Sequence, residues 1–253
     1  MRLNREQAHN RRIAEKAEVI WGESTLAGRQ RIERRSELIV KECGITQGMR
    51  VLEIGCGTGA YTLKFAQTGA MMFATDISEE LLTHRAAQEF QSMEMLPLSK
   101  GSRILNPAFA LCQAEKLPFK DMSFDAVVGN AVLHHLDLPL ALQEIKRVMV
   151  HKGRFAFTEP NMLNPQNMLI KNVKFLGRLA GESPDETAFL KWKILRQLKN
   201  AEFCGTGVIP FDFLHPVVPD NLVRVVSLLG ELFERLPLVK HMAGSLLITG
   251  TKE

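Results

Sequence analysis

The segment VLEIGCGTGAYT, residues 51–62, most constrains how this chain folds and what it binds. Its apolar start is typical of a buried strand, and its end continues into a helical pattern. Between them, Gly55, Gly57 and Gly59 stand at alternate positions. Glycine lets a backbone turn approach a ligand closely, and the next helix offers free N–H groups. The segment therefore predicts a nucleotide-like ligand, although a tight strand-to-helix turn alone would also use these glycines.

Strands and helices alternate along most of the chain after this point. Strand-like runs include MRVLEI, AMMFATD, PAFALC, FDAVVGN and GRFAFTE, and helical patterns separate most of them. This alternation indicates an α/β fold of the Rossmann-like, doubly wound type, with a mostly parallel sheet. In such folds, ligands bind at the carboxyl edge of the strands. The run SLLITGTK predicts a last strand.

Changes of pattern divide the 253 residues into four segments. Residues 1–47 have helical spacing, and residues 48–160 contain the alternating core. Residues 161–200 interrupt the alternation and predict two helices joined by GESPDE, which we interpret as a helical cap over the carboxyl edge of the sheet. Residues 201–253 then complete the sheet.

An acidic residue strengthens the prediction of a nucleotide-like ligand. Asp76 ends the second predicted strand, at the distance from Gly55 that dinucleotide-binding folds use for a carboxylate that binds a ribose. Asp76 would alternatively cap the following helix, although Ser78 is better placed for that. The run QAEKLPFKDMSFDAVV adds a polar turn between the third and fourth strands.

The segments LEIGCGTG, ATDIS, AEKLPFKDMSFDAVV, AVLHHL and FTEPN together resemble the class I S-adenosylmethionine-dependent methyltransferases of the small-molecule type. The resemblance covers roughly residues 47–159, and LPLVKHMAGSLLITGTK resembles the closing, antiparallel strand of that family. It implies S-adenosyl-L-methionine as the cofactor. The residues that it implies for cofactor binding are Glu53, Gly55, Cys56, Gly57, Gly59, Asp76, Ile77, Gln113, Ala114, Glu115 and Asn130.

The resemblance also assigns these residues to parts of the cofactor. The glycine turn surrounds the methionine moiety, and Glu53 supports its amino group. Asp76 holds the ribose, Ile77 packs on the adenine, and residues 113–115 lie along the adenine edge. Gln113 departs from the family pattern, in which many members have Asp, but its side-chain oxygen can accept a hydrogen bond from the adenine amine.

Methyl transfer from a sulfonium requires no catalytic triad, because the cofactor carries the leaving group. The protein aligns the reacting atoms, excludes water and in some cases supplies a base. His134, His135 and Glu159 follow predicted strands and are the candidate catalytic residues, together with His215 near the C-terminal loop, since a histidine can accept a proton near neutral pH. The alternative is structural: one histidine of LHHL bonds a backbone carbonyl, and Glu159 lines the pocket without acting as a base.

Cysteine positions and composition exclude several other classes of protein. The four scattered cysteines form no CxxC pair, which argues against a metal site or a disulfide framework and favours a reducing, cytoplasmic setting. The chain lacks the [DN]PP[YFW] element of adenine N-methylases, and its net charge of +4 is mild. With no basic patch interleaved with aromatic residues, a nucleic-acid partner is not expected. No apolar run reaches the length of a transmembrane segment.

The N-terminal run WGESTLAGRQRIERR precedes the alternating core. We expect Trp21 or its neighbours to help close the cofactor pocket. In the alternative, Arg31, Arg34 and Arg35 form a solvated helix face that pairs with neighbouring glutamates.

The predicted cap bears on the identity of the acceptor. Residues 161–200 combine seven Lys or Arg and three Asp or Glu with many apolar residues. This composition favours a small, hydrophobic or lipid-like acceptor that carries a carboxylate or phosphate, and peripheral contact with a membrane. The alternative is a plain lid with solvated lysines.

Two further functions stay open: a cofactor-binding scaffold without methyl transfer, and an RNA or protein methyltransferase. The oligomeric state is not predicted.

Overall fold

The computed structural model describes residues 2–82, 107–172 and 188–253, which form a seven-stranded sheet. The strands are β1 (Arg50–Ile54), β2 (Met71–Asp76), β3 (Ala108–Leu111), β4 (Phe124–Asn130), β5 (Met149–Pro160), β6 (Cys204–Phe211) and β7 (Ser245–Thr251). They lie in the order β3-β2-β1-β4-β5-β7-β6. The strand order reverses between β1 and β4, and ligands bind at such a switch point in open α/β sheets.

The five neighbouring strands β3, β2, β1, β4 and β5 pair in parallel. β7 pairs antiparallel with both β5 and β6. This confirms the predicted α/β fold with a mostly parallel sheet and an antiparallel C-terminal strand. The register of β4 and β5 places Asn130 opposite Thr158. As a result, Asp76, Asn130 and Glu159 all lie at or near the carboxyl ends of parallel strands.

Helices precede and connect the strands. They are α1 (Arg2–Ile13), α2 (Ala17–Ile20), α3 (Leu26–Cys43), α4 (Ala60–Ala66), α5 (Glu79–Leu81), α6 (Leu138–Val148), α7 (Pro165–Asn172), α8 (Lys191–Asn200) and α9 (Asp220–Arg235). The run WGESTLAG predicts a break between the first helices, and the chain leaves the helical conformation there at residues 21–25. Among the described helices, none combines the length and the apolar character needed to cross a membrane.

Side-chain caps explain where several helices begin. The hydroxyl of Thr25 accepts a hydrogen bond from the N–H of Gly28 and starts α3. Ser78 caps α5, as the sequence predicts, and Asp137 caps α6. Such caps satisfy N–H groups that have no partner inside the helix. The run SEELLTHRAAQEFQSMEM predicts a helix that begins at Ser78, and the structure describes this run only as far as Leu82.

Apolar side chains on both faces of the sheet form the core. On one face, the strands pack against α6 and α8, with Phe155, Ile145 and Leu198 fully buried. On the other face, α3 and α4 cover the sheet through Ile39 and Phe65. Each helix presents one apolar stripe to the sheet, which is the usual way in which an amphipathic helix is held.

The segment predicted as a cap, residues 161–200, has more than one structural role. α8 buries Ile194 and Leu198 in the core beside α6, so it covers a face of the sheet and not its carboxyl edge. α7 lies near that edge, where Asn167 donates hydrogen bonds to the carbonyls of Asn161 and Gly244. Residues 173–187, including the predicted GESPDE joint, lie outside the described residues.

Candidate active site

The glycine turn adopts a backbone conformation that favours glycine. Gly55, Gly57 and Gly59 have φ angles of 68°, 51° and 81°, in the left-handed region. At Gly55, an added Cβ atom would lie 2.4 Å from Cγ2 of Val132, closer than any side chain tolerates. The predicted strand-to-helix turn is therefore confirmed, and side chains at Gly55 and Gly57 would collide with or press on Val132 and Trp21.

Asp76 connects the end of β2 to the glycine turn. Its two carboxylate oxygens accept hydrogen bonds from the backbone N–H groups of Gly57 (2.8 Å) and Ser78 (2.9 Å). Burial raises the pKa of Asp76, and these N–H groups oppose the increase. Since Ser78 caps α5, Asp76 is not the cap of that helix. That this carboxylate holds a ribose stays a prediction.

Glu53 is a buried carboxyl group beneath the turn. Its Oε2 accepts a hydrogen bond of 2.5 Å from the hydroxyl of Thr62. Burial raises the pKa of Glu53 to about 8, although the Thr62 hydroxyl acts in the opposite direction. The nearby charge of Asp76 adds to the increase. A buried carboxyl of this kind is stabilised in its charged form by a cationic group, such as an amino group.

A cavity of about 1490 Å³ opens at the carboxyl edge of the sheet. This volume exceeds the roughly 300–1,000 Å³ of a typical pocket for one small ligand. Glu53 and Gly59 lie outside the set of residues that line the cavity. The predicted site residues that do line it are Gly55, Cys56, Gly57, Asp76, Ile77, Gln113, Ala114, Glu115, Asn130, His134, His135 and Glu159.

The segment after β3 forms one wall of this cavity. The N–H of Cys112 donates to the carbonyl of Asp76, which ties the ends of β2 and β3 together. Ala114 is buried, and Glu115 accepts a hydrogen bond from the N–H of Asp137 at the start of α6. These contacts bring residues 113–115 beside the end of β2, as their assignment to an adenine edge requires.

Glu159 and His134 form a buried pair at the end of β5. Glu159 Oε1 accepts hydrogen bonds from the N–H groups of Val132 and Leu133, and its Oε2 lies 2.6 Å from Nδ1 of His134. Both carboxylate oxygens are therefore engaged within the protein. The pair fixes the turn that follows β4 and orients the imidazole of His134.

His135 has different surroundings from those of His134. Its Nδ1 lies 3.0 Å from Oε1 of Glu6 in α1, and the ring is partly accessible. The two imidazole rings lie side by side, with centroids 4.0 Å apart. The N-terminal helix thus reaches the candidate catalytic residues directly.

Trp21 lies against the glycine turn, where an added Cβ atom on Gly57 would be 3.1 Å from its ring. Next to it, Glu23 accepts a hydrogen bond of 2.8 Å from the hydroxyl of Thr58. Both Trp21 and Glu23 line the cavity. The segment before α3 therefore covers the turn, while a role in closing the pocket around a cofactor stays a prediction.

Two arginines and an aspartate form a buried cluster that the sequence analysis did not assign to the site. Asp212 Oδ2 accepts hydrogen bonds from Nε of Arg31 (3.0 Å) and from Nη2 of Arg35 (2.8 Å). Arg35 also donates to Asn130 and Ser245 at the ends of β4 and β7. Burial by itself would raise the pKa of Asp212, but the two guanidinium charges outweigh it and lower that pKa.

This cluster leaves hydrogen-bond donors at the cavity. Within the described residues, the terminal nitrogens of Arg31 make no hydrogen bond, and Arg31 lines the cavity. His215 lies beside it, and its Nδ1 accepts from the N–H of Val217, so Nε2 carries the proton. Burial, assisted by the charge of Arg31, lowers the pKa of His215 to about 4. The charged cluster of Arg31, Arg35 and Asp212 thus lies beside the neutral imidazole of His215. The Nε2–H of that imidazole is a hydrogen-bond donor.

The structure corrects the alternative prediction of a solvated arginine face on α3. Arg31 and Arg35 are paired with Asp212, and Arg34 pairs with Glu234 in α9. The partners lie on segments that follow β6, far along the chain. The sequence feature that could have indicated this cluster is the spacing of Arg31 and Arg35, which places both on the same helix face.

Comparisons with known proteins agree with this fold. Residues 52–157 match the family described as a methyltransferase domain. The chain is 28% identical to a demethylmenaquinone methyltransferase of Staphylococcus aureus strain MRSA252, with 68% of this chain and 75% of that protein aligned. It is 35% identical to a malonyl-[acyl-carrier protein] O-methyltransferase of Erwinia pyrifoliae over 44% of this chain and 37% of that protein.

A structural comparison extends over the whole chain. The magnesium protoporphyrin IX methyltransferase of Synechocystis PCC 6803, solved with bound SAH, superposes with a TM-score of 0.65 at 17% identity, covering 100% of both chains. The chain spans 37% to 46% of the length of several curated relatives that it matches.

The switch-point cavity, the glycine turn and the acidic strand end define a Rossmann-like domain built for a nucleoside-type ligand. Residues 52–157 form a methyltransferase domain, as the family match shows, and the chain shares the fold of solved methyltransferases such as the Synechocystis enzyme.

Proposed function

We propose that this chain transfers a methyl group from S-adenosylmethionine to a small acceptor. The observation that carries the proposal is the continuity of the cavity, which joins the glycine turn and Asp76 to the donors of Arg31 and His215. The cofactor supplies the activated methyl group and its leaving group. The protein then has to hold the acceptor in line and exclude water.

The residues present fit this cofactor. The turn offers glycine backbone, the buried carboxylate of Asp76 accepts hydroxyl donors, and the carboxyl of Glu53 favours a nearby ammonium. We assign the adenine edge to Ile77 and to residues 113–115. We assign Cys56 and Asn130 to the wall at the methionine end, and Gly59 to the glycine turn itself.

Of the candidate catalytic residues, we assign Glu159 to positioning. Its two oxygens already accept hydrogen bonds from two backbone N–H groups and from His134, so proton transfer through it would break this arrangement. His134 and His135 remain the candidates for proton transfer, since both line the cavity.

For the acceptor, we propose a partly apolar molecule that carries a carboxylate or phosphate. Arg31 and the Nε2–H of His215 supply donors suited to such an anion. Leu163, Met168 and Leu169, in and beside α7, are exposed near the carboxyl edge and offer apolar contact. Peripheral contact with a membrane would rest on the same exposed residues. We also propose that the protein acts in a reducing, cytoplasmic setting.

Asp76→Ala is expected to weaken S-adenosylhomocysteine binding by about 1.5–3 kcal/mol, the range for lost hydrogen bonds to a charged group. Titration calorimetry with S-adenosylhomocysteine measures this change, and Asp121→Ala, at an exposed carboxylate, is the matched control. Unchanged affinity in Asp76→Ala, or tighter binding of NAD than of S-adenosylhomocysteine by the wild type, would contradict the cofactor assignment.

Arg31→Gln tests the acceptor assignment. In a screen with labelled cofactor, we expect the wild type to prefer acids over their neutral amides, and the variant to lose about 10- to 100-fold in kcat/KM for the acids only. Arg29→Gln, at an exposed arginine of the same helix, is the control. If Arg31→Gln instead weakens S-adenosylhomocysteine binding, Arg31 serves the cofactor and the acceptor assignment fails.

Two other functions make different predictions in that screen. A cofactor-binding scaffold would bind S-adenosylmethionine without releasing S-adenosylhomocysteine in the presence of any acceptor. An RNA or protein methyltransferase would label macromolecules and not small acids. Labelled small molecules, with no labelled macromolecules, support the proposed function against both.

A further inference from the structure

Arg35 of α3 is a buried arginine whose three side-chain nitrogens all donate within the protein. Its Nε and Nη2 donate to Asp212 Oδ2 at 3.2 Å and 2.8 Å, and Nη2 also donates to Oγ of Ser245. Its Nη1 donates to Oδ1 of Asn130 (3.0 Å), and the hydroxyl of Tyr61 accepts a hydrogen bond from the same guanidinium group. Arg35 therefore fixes the groups around it and does not itself bind a ligand.

The side-chain amide of Asn130 has a defined orientation. Its Oδ1 accepts hydrogen bonds from Nη1 of Arg35 and from the hydroxyl of Thr158 (2.5 Å) on β5. Since a guanidinium group can only donate, the oxygen of the amide and not its nitrogen must face Arg35. Within the described residues, no group accepts a hydrogen bond from Nδ2, and Asn130 lines the cavity. Asn130 thus offers its N–H groups to whatever occupies the cavity.

Three other donors beside Arg35 line the same cavity. Burial raises the pKa of the Tyr61 hydroxyl, although the charges of Arg35 and Arg31 oppose the increase, so this hydroxyl keeps its proton at neutral pH. The terminal nitrogens of Arg31 and the Nε2–H of His215 are the other two donors. We call the four cavity-lining residues the donor patch: Arg31, Tyr61, Asn130 and His215.

The carboxylates near the donor patch are already occupied. Asp212 accepts Arg31 and Arg35 on Oδ2 and a backbone N–H on Oδ1, and the two oxygens of Glu159 form three hydrogen bonds. An amine needs acceptors for its protons, and a protonated amine is repelled by guanidinium charge. A carboxylate has only acceptors, so it is the group that positively charged donors bind best.

Asn130 lies between the two ends of the cavity. The parallel register of β1 and β4, continued by two residues beyond their last pair, brings Asn130 beside Gly55 of the glycine turn. On its other side, Arg35 and Asp212 connect Asn130 to Arg31. Under the proposed function, the cofactor's methionine end lies at the glycine turn and the acceptor lies at Arg31. A group that binds Asn130 would then lie where the methyl group is transferred.

We propose that the acceptor is methylated on a carboxylate oxygen, which Asn130 holds beside the cofactor, and that Arg35 and Thr158 position the Asn130 amide. The inference rests on the proposed function and adds the reacting atom to it. A lone pair of the carboxylate oxygen forms the bond to the methyl carbon while the carbon–sulfur bond breaks and its electron pair stays on sulfur. The carboxylate becomes a neutral ester and the sulfonium a neutral thioether, so neither His134 nor His135 has to accept a proton.

Matched ligands test the donor patch in the protein saturated with S-adenosylhomocysteine. By titration calorimetry, we expect the wild type to bind octanoate at least about 10-fold more tightly than octanamide or octylamine. Asn130→Asp keeps an oxygen for Arg35 but loses the donor, so octanoate binding should weaken at least about 10-fold while S-adenosylhomocysteine affinity stays within about threefold. Asn221→Asp, at an exposed asparagine of α9, controls for the added charge.

Thr158→Val tests the positioning role with a variant that adds no charge. Valine keeps the shape but removes one of the two hydrogen bonds to Oδ1 of Asn130, and it should weaken octanoate binding about 3- to 10-fold. Thr158→Ser restores the hydroxyl and should return the dissociation constant to within about twofold of the wild type. Equal losses in the two variants would show that Thr158 only packs, and would overturn its positioning role.

The product identifies the reacting atom. With methyl-labelled cofactor and a panel of carboxylic acids and matched amines, the wild type should form only products whose label is released as methanol by mild alkali, because alkali hydrolyses esters and not N-methyl amines. Alkali-stable products, equal binding of octanoate and octylamine, or an Asn130→Asp variant that loses S-adenosylhomocysteine and not octanoate would each overturn the inference. A wild type that binds no S-adenosylhomocysteine or labels no acceptor would contradict the proposed function itself, and the inference with it.

Discussion

Asp212→Asn is expected to lower the free energy of unfolding by about 3–5 kcal/mol, the cost of removing one partner from a buried ion pair. Asp212 is 2% exposed and receives the guanidinium groups of Arg31 and Arg35. Asparagine keeps the shape but brings an amide against two buried positive charges. The backbone is not a confounding factor, because Asp212 has a φ of 69°, a conformation that asparagine also adopts.

Urea denaturation measures this loss, with Asp121→Asn as the control. Asp121 pairs with Arg147, but its side chain is 69% exposed, so the same change should cost less than about 1 kcal/mol there. A loss below this value in Asp212→Asn would mean that the cluster is hydrated and contributes little to folding. The proposed donor role of Arg31 would then lose its structural basis.

Glu53 is expected to make the ligand-free protein less stable as the pH rises. Its pKa is about 8 in the folded state, against 4.5 for an ordinary glutamate. The folded state therefore holds the proton more tightly, and this stabilisation is fully present below pH 4.5 and is lost as the pH rises through 8. Relative to Glu53→Gln, the wild type should lose about 3–5 kcal/mol of unfolding free energy between pH 5 and pH 8.5.

Denaturation curves of both proteins at the two pH values provide the comparison, since glutamine keeps the hydrogen bond to Thr62 without titrating. Glu37→Gln makes the same change at an exposed position of α3 and should run parallel to the wild type. Parallel curves for Glu53→Gln and the wild type would show that Glu53 is ionised throughout. A cofactor ammonium beside Glu53 should reduce the pH dependence when S-adenosylhomocysteine is bound.

The sequence predicts the sheet well because the information is local. FDAVVGN is a buried strand flanked by turn residues and corresponds to β4, and Asp137 begins α6 where its side chain can cap it. The glycine turn and Asp76 were likewise predicted, because short-range backbone geometry requires them. That the glycine turn and Asp76 bind the cofactor remains a prediction.

Other features depend on contacts that no local pattern contains. The Arg35–Asp212 pair joins residues 177 positions apart, and only the packing of α3 against the loop after β6 brings them together. α8 was interpreted as part of a cap because its amphipathic pattern does not say which surface it covers. Its apolar side chains enter the core through Ile194 and Leu198.

The position of β7 between β5 and β6 has a consequence for synthesis on the ribosome. Within the described residues, β6 pairs with β7 alone, so it exposes an unsatisfied backbone edge until residue 251 has emerged. Ser245, which begins β7, is also a partner of Arg35. The half of the molecule around the glycine turn can therefore assemble while the opposite wall of the cavity is still incomplete. A nascent chain that pauses before β7 would offer β6 to chaperones or to another strand.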